Sequence, residues 1–333
     1  MTTRRCLLAC GLLLATGCGG NSTTPNPVTS TPPPATGSNT LAGVVFYDQN
    51  SNGTLEPDEQ VRLPGVRVSV GGQTGTSTTG GQVTVAGLPD GTGTVALQAD
   101  SLPPFFQPGR MPAVTLPLAA GAVVPLPVTL PIGANGPNQY LAFGDSITEG
   151  AGSDRRTGFA TPLQARLRAY WGGEAEVRVD GVRGSRSVDG LARLPASLKQ
   201  NRPAFVLILY GTNDWNGRCQ SLAAEACFTV GALRDMVRAA RAAGSQPVVG
   251  TIIPAHPGLA PAERNRWIQA ENELIRALAQ QEGAVLADTW AAFGADQGQW
   301  PALFFDDLHP NEDGYARIGE AFFQALTRSR GAR

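Results

Sequence analysis

In 333 residues the chain has only two histidines, His256 and His309, and a single lysine, Lys199. That scarcity removes whole classes of chemistry. No His-Glu-x-x-His occurs, so a zinc hydrolase of that kind lacks its ligands. A Ser-x-x-Lys dyad is also missing at the one serine that matters below, because the residue three after Ser146 is Glu149. Net charge is -1 with no block of like charge, which leaves no electrostatic footprint for nucleic acid, and that partner is set aside. The apolar run at 7–15 is shorter than the roughly 20 residues that a membrane span requires.

What is present at the start reads as an export signal: Arg4-Arg5, the run at 7–15, then Thr16-Gly17-Cys18. Small residues before a cysteine resemble the lipobox of bacterial lipoproteins, in which residues 1–17 are removed and Cys18 becomes the lipidated first residue. Ala15 stands where that box usually has leucine, and Cys10 as anchor would leave too short an apolar segment. The expected location is extracytoplasmic, lipid-anchored to a membrane or cell surface; a plain cleaved signal with a secreted product is the alternative. Five cysteines less Cys6 and Cys10 in the signal and Cys18 at the anchor leave Cys219 and Cys227. In an oxidising compartment that pair reads as a local disulfide, with two free thiols as the alternative.

Composition then changes along the chain. Residues 18–40, rich in Pro, Thr and Ser, cannot bury a core and read as a semi-extended tether. Residues 41–131 carry short β-branched runs at 43–47, 66–70, 82–85, 94–97 and 123–130 separated by Gly, Pro, Asn and Asp, the pattern of a small antiparallel β-sandwich. Between the first two runs lies Asp48-Gln49-Asn50-Ser51-Asn52-Gly53-Thr54-Leu55-Glu56-Pro57-Asp58-Glu59. Oxygen side chains at loop positions one, three, five, nine and twelve with Gly at six suit one hard cation. With Leu63-Pro64-Gly65-Val66-Arg67-Val68, this stretch resembles the calcium-bound B-type repeats of bacterial surface adhesins, a prealbumin-like sandwich. The resemblance implies a structural Ca²⁺ near Asp48, Asn50, Asn52, Thr54 (through its carbonyl) and Glu59. A polar hairpin loop without metal is the alternative.

A boundary is expected near Gly136-Pro137, and residues 138–330 alternate strand and helix. Strands are predicted at 140–143, 175–179, 205–210, 247–253 and 284–286, and helices at 161–170, 188–199, 230–243, 261–282 and 313–328. The strands are apolar without alternation, as in a parallel sheet covered on both faces, so the fold class is a three-layer α/β/α, flavodoxin-like domain preceded by the sandwich. Ligands of such sheets bind outside the carboxyl ends of the strands. At those ends stand Gly144-Asp145-Ser146, Asp180-Gly181-Val182-Arg183-Gly184-Ser185, Gly211-Thr212-Asn213-Asp214 and, before the last helix, Asp306-Asp307-Leu308-His309-Pro310. An attacking hydroxyl, a base, a carboxylate and oxyanion donors are the parts of acyl transfer. Taken alone, Gly144-Asp145-Ser146 reads rather as a turn with Ser146 as a helix N-cap.

In order and strand context, these four blocks resemble the SGNH hydrolases, the GDSL esterase/lipase superfamily. The stretch Gly190-Leu191-Ala192-Arg193-Leu194-Pro195 through Leu198-Lys199-Gln200 to Asn213-Asp214 is especially similar to the bacterial arylesterase/lysophospholipase-type thioesterases. The resemblance implies Ser146 as nucleophile, His309 as general base and Asp306 as its orienting carboxylate, with no catalytic cofactor. It implies an oxyanion hole made of the N–H groups of Ser146 and Gly184 and the side-chain amide of Asn213. Asp307 is expected to be a loop carboxylate, and Arg183 to place a cation near the site or face solvent. His256 reads as an ordinary loop histidine, Trp215 as a pocket wall or a packing residue, and Arg155-Arg156 as a solvated loop.

The expected activity is carboxylic ester hydrolysis through an acyl-enzyme, on lipid or aryl esters or lysophospholipids, by a monomer. O-acetyl groups on carbohydrate are the alternative substrate. A rival from another class is a surface adhesion or carbohydrate-binding lipoprotein whose working part is the sandwich.

Overall fold

The computed structural model describes residues 37–332 apart from 155, 217, 218 and 222. The expected signal, its lipidation site Cys18, most of the tether and Arg155 therefore lie outside the described residues.

The first half is the sandwich. Its strands are β1 (Asn39–Tyr47), β2 (Arg67–Val70), β3 (Gln73–Thr76), β4 (Gln82–Leu88), β5 (Gly91–Leu97), β6 (Gln107–Pro108), β7 (Ala113–Leu116) and β8 (Val124–Thr129). They form two four-stranded sheets of order β4-β1-β8-β6 and β3-β2-β5-β7. Alternation decides which face is inside: along β4 the residues Val83, Val85 and Leu88 are buried while Gln82, Thr84 and Ala86 are exposed. Three strands had no sequence signal, namely β3, β6 and β7. All three are sheet edges, which bury little and so carry short or polar runs. One pair departs from the antiparallel expectation, since β1 and β8 run parallel, paired from Gly43 with Val124 to Tyr47 with Val128. The chain passes through the other sheet between them, so no hairpin fixes their direction.

The second half alternates as expected. It comprises β9 (Gly136–Gly144), α1 (Ser146–Glu149), α2 (Ala160–Trp171), β10 (Glu176–Gly181), α3 (Ser187–Asn201), β11 (Pro203–Leu209), α4 (Thr229–Ala242), β12 (Gln246–Gly250), α5 (Ala262–Glu282), β13 (Val285–Ala287), α6 (Thr289–Ala292) and α7 (Glu312–Thr327). The sheet order is β10-β9-β11-β12-β13, all parallel. In chain order that is 2-1-3-4-5, the flavodoxin-like arrangement. Successive residues of β9 serve opposite faces. Tyr140 and Ala142 join the core with Leu163 of α2 and Phe322 of α7, whereas Leu141 and Phe143 join Leu194, Leu233 and Ile268 of α3, α4 and α5. Helices on both faces leave β11 wholly buried, which is why its sequence is apolar throughout.

Two boundaries differ from expectation for stated reasons. β9 begins at Gly136, whose N–H donates to the Arg202 carbonyl (2.8 Å), so Gly136-Pro137 already belongs to the sheet. β12 stops at Gly250, and past Thr251, which still bonds β13, the backbone is satisfied from α5. Thr251 donates to the Ala287 carbonyl (3.1 Å), and the Asn272 amide brackets the N–H and carbonyl of Ile252 (2.7 and 2.8 Å).

The two halves share one apolar core. Phe106 meets Trp171 edge-on (5.8 Å between centroids), Phe105 lies 6.1 Å from Phe205, and the Arg62 N–H donates to the Trp171 carbonyl (2.8 Å). Trp171 closes α2 and Phe205 opens β11, so the sandwich packs at the amino ends of the parallel strands. Their carboxyl ends are left for chemistry.

Candidate active site

The nucleophile is placed by a tight junction. β9 ends at Gly144, where a Cβ would fall 2.0 Å from Thr148 Oγ1 and 2.5 Å from the Leu209 carbonyl, so only glycine lets the strand turn there. Asp145 is the N-cap of α1, its carboxylate accepting the Ile147 N–H (2.9 Å). Ser146 is thus the first helical residue and not the cap, and its N–H is one that no helix carbonyl can reach. One turn later Gly150, at φ 95°, ends the helix.

Residues from opposite ends of the domain converge on that serine. His309 Nε2 lies 3.0 Å from Ser146 Oγ, and His309 Nδ1 lies 2.8 Å from Asp306 Oδ2. Asp306 and His309 are joined by a turn and not by the helical turn their spacing suggests. Asp306 Oδ1 accepts the N–H groups of Leu308 (2.9 Å) and His309 (2.7 Å), which leaves Oδ2 for the imidazole. Burial pushes the Asp306 carboxyl up, but the hydrogen bonds from the His309 N–H, the imidazole and the Leu308 N–H outweigh it and hold the group below the usual carboxylate range. An ionised Asp306 fixes the proton on Nδ1 and turns the Nε2 lone pair to the serine. Asp307 is an exposed loop carboxylate as expected, and its carbonyl accepts the His256 N–H (3.0 Å).

The three expected oxyanion donors lie around the serine's turn. Gly184 follows β10 at φ 69°, with no atom within 4 Å of where a Cβ would lie. The positive φ favours glycine here, and the space beside it is open. Among the described residues no acceptor is bonded to its N–H. The amide of Asn213 donates to Ser185 O (3.1 Å) and to Asp145 Oδ2 (3.2 Å), which ties the three loops together. Ser146 itself is buried, 8% exposed.

Four polar residues that the sequence reading gave no role hold this edge. Arg193 of α3 donates to the carbonyls of Gly144 (2.9 Å) and Asp180 (2.7 Å) and to Tyr210 Oη (2.9 Å), pairs with the Asp180 carboxylate, and stacks 4.0 Å over the Phe143 ring. It joins the ends of three neighbouring strands. Asp214, fully buried, accepts from Ser187 N (2.9 Å), Ser187 Oγ (2.7 Å) and Thr229 Oγ1 (2.7 Å). Burial pushes its carboxyl up, partly offset by those hydrogen bonds. Arg264, at the start of α5, donates to the Thr212 carbonyl (2.8 Å), and burial lowers its guanidinium to about 10. Asp145, 1% exposed, is pushed up to about 7 by burial, against the Ile147 hydrogen bond. The available signal was position: Asp145 and Asp214 are the charged neighbours of motif residues at the carboxyl ends of buried strands.

The remaining expectations resolve into packing. Trp215 is buried against Trp267 (5.6 Å between centroids) and is a packing residue. Arg183 faces solvent, its side chain 52% exposed, while pairing with Glu149 of α1 (2.8 Å). His256 Nδ1 accepts the Gly258 N–H (3.0 Å), and Arg156 is an exposed loop residue. Cys219 and Cys227 form the expected disulfide. In the sandwich, the loop at 48–59 buries Asp48 and Glu59 and bonds its own N–H groups. Asp48 accepts from Asn52 N (3.1 Å) and Gly53 N (2.8 Å), Asn52 Oδ1 from Thr54 N (2.7 Å), and Glu59 from Gln49 N (2.7 Å). Among the described residues no group of three or more His, Cys, Asp or Glu is arranged to hold a metal.

Comparison with known proteins gives the family. The family model described as "GDSL-like Lipase/Acylhydrolase family" matches residues 142–317. "Esterase TesA" of Pseudomonas aeruginosa is 34% identical over 189 residues, covering 56% of this chain and 86% of that protein. "Thioesterase 1/protease 1/lysophospholipase L1" of Escherichia coli is 28% identical over 194 residues, 58% of this chain and 85% of that protein. A solved crystal structure of TesA aligns with a TM-score of 0.47 and 31% identity over 56% of this chain and 97% of that one. With the matched residues spanning more than half of its length, the chain belongs to the GDSL-like lipase/acylhydrolase family.

Proposed function

We propose that the protein is an exported serine ester hydrolase working through an acyl-enzyme on Ser146. The observation that carries this reading is the unbroken hydrogen-bonded chain Ser146–His309–Asp306. Ser146 Oγ attacks the ester carbonyl carbon while its proton passes to His309 Nε2. The tetrahedral oxyanion is held by the N–H groups of Ser146 and Gly184 and the amide of Asn213, each worth roughly 3 kcal/mol of barrier. Collapse breaks the bond to the alcohol oxygen, which leaves with the proton from His309. Water then repeats the sequence on the acyl-enzyme, releasing the acid and restoring Ser146.

For the substrate, apolar esters are favoured, whether lipid, aryl or lysophospholipid. Phe305, 70% exposed, directly precedes Asp306, and Val182, 45% exposed, stands two residues before Gly184. Apolar side chains left in water at the mouth of a site suit an acyl chain better than a sugar. The names of the relatives, an esterase and a lysophospholipase, support the same choice. Deacetylation of carbohydrate is the second reading, carried only by export and the added sandwich. Export rests on the residues at 4–18, with Cys18 as lipid anchor. In the sandwich, Asp48, Asn50, Asn52, Glu59 and the Thr54 carbonyl would hold a Ca²⁺. The fit is reasonable because these are hard oxygen donors of one loop and Asp48 and Glu59 are 1% and 2% exposed.

The test is a series of p-nitrophenyl esters from acetate to palmitate, run beside Ser146→Ala. A maximum at medium or long chains supports the apolar reading. Activity confined to acetate supports deacetylation. An absence of Ser146-dependent turnover on every ester overturns the hydrolase reading.

A further inference from the structure

The Asn213 amide has two N–H bonds, and both are occupied in the resting site. Their two acceptors differ in kind. Asp145 Oδ2 belongs to a carboxylate that is 1% exposed and whose other oxygen is fixed by the Ile147 N–H. Ser185 O is a neutral backbone carbonyl, in the loop that carries Gly184. A carboxylate in low dielectric is the stronger acceptor and keeps the Asn213 N–H. A neutral carbonyl gives way to an oxyanion.

We propose that Asp145 is a positioning residue for the oxyanion hole: by taking one N–H of Asn213 it aims the other at the developing oxyanion, with Ser185 O as its resting acceptor. The inference rests on the ester-hydrolase reading above. Asp145 also decides which way the amide faces. With a carboxylate at this position the Asn213 oxygen is excluded from it by repulsion between acceptors, so the nitrogen must point towards the site. The same residue caps α1 and so fixes the Ser146 N–H, the second donor of the hole. Burial and the nearby Asp214 carboxylate push Asp145 up, while the Ile147 hydrogen bond and, less, Arg264 favour the ionised form that can accept.

The experiment compares Asp145→Asn, Asn213→Ala and the double variant with the native protein, reading kcat and KM on the p-nitrophenyl ester that the native protein turns over fastest. Asp145→Asn keeps an oxygen for the Ile147 N–H but presents N–H groups to Asn213, which turns the amide over. The expected result is a kcat about 30-fold lower with KM changed less than about 3-fold, as for loss of a donor felt only in the transition state. Placed on Asn213→Ala, the same change should cost less than about 3-fold, because the amide it positions is gone. Asp145→Ser, which retains a capping oxygen but cannot reach Asn213, should behave alike. Full activity in Asp145→Asn, or an equal loss with and without Asn213, would overturn the proposal. Failure of both Asp145 variants to fold would overturn it too, by making the carboxylate's role structural. A native protein without Ser146-dependent turnover would instead sink the hydrolase reading itself.

Discussion

Two polar loops at opposite ends of this molecule use the same device and finish differently. At 305–309, Asp306 accepts two backbone N–H groups of its own turn and still has an oxygen for His309. At 48–59, Asp48, Asn50, Asn52 and Glu59 also accept N–H groups of their own loop, and there Asp48 and Glu59 are buried. The first loop sits at the carboxyl ends of the parallel strands, where His309 reaches Ser146. The second lies in the half that covers the amino ends. A carboxylate closing its own turn is therefore only scaffolding. What distinguishes a site is the groups left facing a common space.

The comparison is broken first by removing what only one end possesses. Ser146→Ala should lower kcat/KM by at least about 10⁴-fold, measured on p-nitrophenyl esters, with an unchanged thermal midpoint. A parallel loss on Asp48→Ala would erase the distinction between the two ends.

Next in size is the strain stored at the catalytic edge. Asp145 stands at about 7 in the folded protein against 3.8 ordinarily. Its folded pKa is raised, so its contribution is fully present below the unfolded pKa and is lost as pH rises through the folded value. Native stability should fall by about 4 kcal/mol between pH 3.8 and pH 7 relative to Asp145→Asn, since each pKa unit is worth ~1.4 kcal/mol. Urea unfolding across that range measures it, and identical pH profiles would contradict it.

A third, smaller effect concerns the disulfide. Cys219 and Cys227 close a short loop beside Thr229, whose hydroxyl reaches Asp214 behind Asn213. Replacing both by serine should cost about 2–3 kcal/mol of stability, read from the same unfolding curves. Smallest is the cation: millimolar calcium should raise the thermal midpoint by about 3 °C, an increase absent in Asp48→Ala, and leave kcat untouched because that loop is remote from Ser146.

How much of this was legible in the sequence follows from what each element buries. The helices and the central strands announced themselves because β11 and the inner faces of α3, α4 and α5 must be apolar. The strands β3, β6 and β7 did not, because at two to four residues each is too short to show a period. The motif residues Ser146, Gly184, Asn213, Asp306 and His309 were legible as one-dimensional blocks. Their supports were not, because Arg193, Asp214 and Arg264 act across elements distant in sequence, and nothing local marks an arginine that bonds three strand ends.

The most direct measurement is active-site labelling of the folded native protein with a fluorophosphonate, followed by mass spectrometry of the labelled peptide. The account predicts a single adduct on Ser146, strongly slowed in His309→Ala. A folded protein that remains unlabelled, or carries its adduct on another serine, would contradict it.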